Sequence, residues 1–203
     1  MALIAKNSGG SDFELTPAGN HIAVCYQVID LGIQHGEYMG APTSSHKVRI
    51  AWELSNELMS DGRPFSIGSI FTLSLSEKSN LRPLLESWRG RPFTEQELEG
   101  FDLKNVLGAA CMVNVIHKPN QAGQMRARVS SVSALPKGMQ KPAISNPPLF
   151  YSIDDDKDGV IYAKLDEWLQ KMINRQAPQN VASAHDERNP PPADDFLNDP
   201  IPF

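Results

Sequence analysis

Apolar and polar positions along the chain alternate with two different periods. From His21 to Ile33 the run HIAVCYQVIDLGI is long and apolar, and its apolar positions change parity near Gln27: Ile22, Val24 and Tyr26 first, then Ile29 and Leu31. Such a switch predicts a long strand bent by an extra residue. A polar, glycine-bearing loop, QHGEYMGAPTSS, is expected next. HKVRIAWEL (46–54) then alternates, with Val48, Ile50, Trp52 and Leu54 on one face and Lys47, Arg49 and Glu53 on the other, the pattern of a half-buried strand. DGRPF (61–65) is turn chemistry, and SIFTLSL (69–75) alternates again, gathering Phe71, Leu73 and Leu75.

The period then lengthens. Leu81, Leu84, Leu85 and Trp88 recur at the spacing of one helical stripe, stopped by Gly90 and Pro92. FTEQEL places Thr94 as a helix cap with Glu97 three residues on and Phe93 and Leu98 as the flanking apolar staple, so a short second helix begins there. AACMVNVIHK (109–118) and QMRARVSSV (124–132) read as two further strands, with Arg126, Arg128 and Ser130 on one face of the latter. Strand, strand, strand, helix, strand, strand is the order of the five-stranded OB-fold barrel. The expected class is all-β with helical additions: an N-terminal arm (1–19), an OB-fold domain (20–140), a Pro-rich exit with an amphipathic helix (141–175) and a disordered acidic tail (176–203). In the exit, Ile161, Leu165, Trp168, Met172 and Ile173 form one stripe over 160–174. That helix docks either on the barrel or on a second subunit, which leaves a homo-oligomer open. The tail is poor in apolar residues and, if flexible, reaches about 30 Å.

Charge changes this picture by its distribution. Residues 1–150 carry 14 Lys and Arg against 13 Asp and Glu, while residues 151–203 carry 5 against 11, so the net −5 belongs to the C-terminal part. A near-neutral body with an acidic end fits a protein whose body binds a polyanion. No apolar run approaches membrane-spanning length, and the start, MALIAKNSGG, does not read as a secretory signal. A cytoplasmic location is expected, and Cys25 and Cys111, far apart in apolar runs, read as reduced core residues.

Catalytic patterns are weak by comparison. DDDKDG (154–159) begins like a calcium loop, but its twelfth position is Leu165 in place of a bidentate acid, so the acids read as a helix-start cluster. Glu95, Glu97 and Glu99 lie in a first helical turn, and the five histidines show no ligand spacing. No enzyme activity, cofactor or metal is expected. For nucleic acid the signal is better. On an OB map Lys47 and Arg49 would be displayed on the second strand, Tyr38 and Met39 in the first loop, and Lys118, Arg126 and Arg128 on the last hairpin. Tyr38, Phe65 and Tyr26 are the candidate stacking rings, while Trp52 and Phe71 fall on apolar faces.

The final DDFLNDPIPF, after acids and a Pro-rich tether, resembles the C-terminal tip of bacterial single-stranded DNA-binding proteins. The resemblance implies partner docking by Asp194, Asp195, Asp199, Ile201, Pro202 and Phe203. KSNLRPLLESWRGRPFT, FDLKNVLGAACMVNVIHK and LPKG look like a group of phage replication-module proteins described as single-stranded DNA-binding. Together these imply a protein of phage replication, recombination or repair that coats single-stranded DNA and recruits enzymes by its tip. The rivals are a barrel adaptor or inhibitor that binds protein alone, and a nuclease using Asp154 to Asp158.

Overall fold

The computed structural model describes residues 14–120 and 122–175. Six strands carry these residues: β1 Gly19–Tyr38, β2 Ala41–Leu58, β3 Pro64–Thr72, β4 Ala110–Pro119, β5 Met125–Ala134 and β6 Leu149–Tyr151. They form one mostly antiparallel sheet in the order β3-β2-β1-β4-β5, with β6 added in parallel to β1. The helices are α1 Leu81–Arg89, α2 Glu95–Glu99 and α3 Glu167–Asn174. The chain is therefore mainly β with helical additions.

The register of β1 slips between Cys25 and Gln27, where the apolar parity switches, and again between Asp30 and Gly32. The faces are not those read from the apolar letters, however. Ala23 and Cys25 fill the main core while Ile22 and Tyr26 are half-buried. Past the slip Val28 points into that core, and Ile29 and Leu31 turn to the opposite face. The bend also frees an edge. β4 pairs with β1 only over Gly19–Val24, and β6 takes the same edge over Gln27–Ile29.

Two cores result. The first packs Ile50, Trp52, Leu85, Trp88 and Val113 between the sheet and α1. Trp52 and Trp88 sit 5.7 Å apart, and the Trp88 indole N–H donates to the Ala110 carbonyl at 3.0 Å. The second lies on the sheet's other face, where Tyr151, Leu165, Leu169 and Ile173 cover Ile29 and Leu31. Consequently β2 is buried on both faces from Lys47 to Leu54, not half-buried as its alternation predicts.

Local signals hold in the helical part. α1 buries Leu81, Leu85 and Trp88 and ends at Gly90, whose left-handed φ of 69° turns the chain so that Arg91 N donates back to the Glu86 carbonyl at 3.2 Å. Both arms of the Thr94–Glu97 capping box are made. The C-terminal helix is shorter than its stripe predicts. A 3-10 turn at Tyr162–Lys164 stops at Leu165, and α3 starts afresh because Asp166 Oδ1 accepts from Leu169 N at 2.8 Å. Asp156 accepts from the backbone N–H groups of Ile161 (3.0 Å) and Tyr162 (2.6 Å), so one acid of DDDKDG ties the start of that turn. The loop expected at 34–45 is a strand extension instead. β1 and β2 run on to a two-residue turn, Met39 and Gly40, both at positive φ, the geometry that matches strand twist in a hairpin. Cys25 and Cys111 are free and buried. No helix among the described residues is long and apolar enough to cross a membrane.

Candidate nucleic-acid interface

Lys118, Arg126 and Arg128 come together on the β4–β5 hairpin. Cys111, Val113 and Val115 of β4 are buried, so pleat alternation sends Met112, Asn114, Ile116 and Lys118 to the outer face. Lys118 stands directly opposite Arg126, and Ile116 opposite Arg128. On β5, Ala127 and Val129 pack toward the core, which turns Arg126 and Arg128 outward. A register slip between Asn114 and Val115 makes Ser130 the extra residue, so it does not continue the arginine face as its spacing suggests. The outer face continues onto β1, where Asn114 Nδ2 donates to Asn20 Oδ1 at 2.8 Å.

Two exposed methionines mark the hairpin ends. Met39 is 88% exposed at the β1–β2 turn, and Met125 is 49% exposed beside Arg126. Sequence reasoning missed Met125 and Ile116. Strict alternation against the buried β4 residues is the signal that places Ile116 outside. The side chain of Tyr38 lies outside what the structure describes.

The other candidates are not displayed. Lys47 is 6% exposed, its Nζ donating to Thr72 Oγ1 at 2.9 Å. Arg49 is 3% exposed, its Nη1 donating to Gln27 Oε1 at 2.6 Å. Burial pulls both pKa values down, while Tyr26 and Asp166 act in the opposite direction on Arg49. The physical reason is the C-terminal segment, which lies across this face. Glu53, fully buried, holds that segment by accepting from Ser145 N (2.8 Å), Asn146 N (2.8 Å) and Asn146 Nδ2 (2.6 Å). Phe65, a candidate stacking ring, belongs to the main core. Tyr26 is half-buried beside Arg49. Asp194, Asp195, Asp199, Ile201, Pro202 and Phe203 lie outside the described residues.

Among the described residues no group of three or more His, Cys, Asp or Glu side chains is placed to hold a metal ion. The outer face of the hairpin brings cationic and apolar side chains together. Comparison with models of known protein families and with curated protein sequences finds no match to this chain.

Proposed function

We propose that this chain binds single-stranded DNA without acting on it chemically, as a component of a phage replication or recombination module. Residues 194–203 would recruit enzymes to the coated strand. The observation that carries the reading is the cluster of Lys118, Arg126 and Arg128 on one face of one hairpin. Lys118 and Arg126 stand directly opposite one another, and a polyanion is drawn to such a group of cations. Beside them Ile116 and Met125 offer apolar contact to bases, while the β1–β2 turn, at the other end of β1, adds Met39 and Tyr38, the latter as a stacking ring.

The fold supports the same reading at a finer level. The order β3-β2-β1-β4-β5, a helix between β3 and β4, and the approach of β3 to β5 are features of a five-stranded OB-fold barrel. A second reading, a barrel that binds protein and never DNA, is favoured by the burial of Lys47, Arg49 and Phe65.

Fluorescence titration with an oligo-dT strand separates the two. With three phosphate contacts, log K falls against log salt with a slope of about −2, or about 20-fold in affinity between about 50 and 200 mM. Arg126→Ala should lower the slope by about 0.7. Absence of binding in dilute buffer would remove the DNA reading and leave the adaptor.

A further inference from the structure

We propose that residues 145–173 are a displaceable cover over a second, latent site for single-stranded DNA on the β1–β2–β3 face, centred on Arg49. The inference deepens the reading above and rests on it. It starts from a cation in the wrong surroundings. Arg49 is 3% exposed, and no ion pair among the described residues includes it. Gln27 Oε1 and the Tyr26 side chain are its polar neighbours, and its Nε, fully shielded, has no hydrogen-bond partner. Its cross-strand neighbours are Ile29 and Ile70, so an apolar side chain would serve a permanent cover better than a sealed guanidinium does.

The sheet is nevertheless shaped to admit this side chain. Gly68 of β3 lies beneath the guanidinium, and a Cβ there would stand 2.7 Å from Nη2 and 2.8 Å from Cζ. Ile29, Leu31 and Ile70 supply apolar surface around it, and Lys47 and Thr72 lie one pair further along. Cations set in an apolar face are what bases and phosphates together require. The cover brings an acid of its own: Asp166, the cap of α3, acts electrostatically on Arg49, where a phosphate would act when the cover is off.

The attachment is segmental. Glu53 grips the chain at 145–146, Asp30 accepts from Ile153 N, β6 contributes three paired residues, and Tyr151, Leu165, Leu169 and Ile173 provide the apolar contact. All of these belong to one stretch that follows the Pro-rich exit from β5, so they can release together; within β6 Phe150 alone also packs on the main core, and its withdrawal is part of the opening.

Hydrogen exchange on the full chain, with and without saturating oligo-dT, tests this. Amides of β6 and α3 should exchange about tenfold faster with the strand bound, while those of α1 stay unchanged. Equal or slower exchange would overturn the proposal. As a second arm, Leu169→Asp should raise oligo-dT affinity about tenfold, and Arg49→Gln in that background should abolish the gain. A gain that survives Arg49→Gln, or no gain in a variant whose α1 amides remain protected, would also overturn it. If Leu169→Asp unfolds the chain, exchange on the unaltered protein decides alone. Binding with an unmoved cover defeats only this inference, whereas no binding in dilute buffer defeats the DNA reading itself.

Discussion

Leu169→Ala isolates the second core from the first. Leu169 is fully buried, and it is one of four side chains, with Tyr151, Leu165 and Ile173, that the C-terminal segment sets against Ile29 and Leu31. Removing its three outer carbons forfeits about 2–3 kcal/mol of transfer free energy. The cavity left behind brings the loss to about 3–5 kcal/mol. Main-core packing is untouched, because none of its buried members touches the change. The loss therefore falls on the local opening of 149–173, and each 1.4 kcal/mol is about a tenfold rise in the open population. Amides of β6 and α3 should thus exchange about 100-fold faster or more, while those of α1 and β4 hold their protection. Leu85→Ala, in the main core, should instead lower the protection of every element together. Native-state hydrogen exchange in mild urea reads both variants. If Leu169→Ala accelerates α1 and β4 as much as α3, the two cores form one cooperative unit and the reasoning fails.

Three further outcomes follow from particular contacts. Burial opposes ionisation of Asp30, but hydrogen bonds from His46, Gly32 and Ile153 outweigh it and hold its pKa below the usual value, while the same Asp30 contact holds His46 above its own. The Asp30 contribution is complete above about pH 4 and is lost as pH falls through its lowered pKa; that of His46 is complete below about pH 6.5 and is lost as pH rises through its raised pKa. Protection of α3, corrected for intrinsic exchange, should therefore be greatest in mildly acidic buffer, and His46→Gln should remove the decline on the alkaline side. Thr94→Ala breaks the capping box and should cost about 1 kcal/mol in urea unfolding. Gly68→Ala forces the Arg49 guanidinium off Gln27 and should cost about 1–3 kcal/mol, part of which Arg49→Gln in the same chain restores.

The strands of the body were legible because each presents at least one regular face. Val48, Ile50, Trp52 and Leu54 alternate in sequence and lie together in the main core, and the parity switch at Gln27 is a real register slip. α1 and the Thr94–Glu97 box rest on contacts within a few residues, which local pattern captures. What was not legible depends on distant chain. Lys47, Arg49 and Glu53 have the letters of a solvated face, and only residues about a hundred positions later make it an interior. β6 is three residues behind two prolines, too short to carry a period. Glycines 36 and 40 with Pro42 read as loop, whereas the strand pairing continues past two of them to a turn that needs positive φ. On the interface, Lys118, Arg126 and Arg128 were readable from alternation, and Ser130 was misplaced because a slip breaks it.

The position of the proposed binding face is tied to that slip in β1. One inserted residue at Cys25–Gln27 keeps Val28 in the main core and turns Ile29 and Leu31 outward, creating an apolar stripe on the face that carries Lys47 and Arg49. An exposed stripe of this kind must be covered, and the same bend opens the β1 edge on which β6 pairs, so the need and the docking edge arise together. Covering the stripe withdraws Lys47 and Arg49 from solvent, whereas on the β4–β5 hairpin Lys118 is exposed and Arg126 and Arg128 are half-buried. A strand that is polar by sequence thus becomes interior, and the more exposed cations are those of the β4–β5 hairpin and not those of β2.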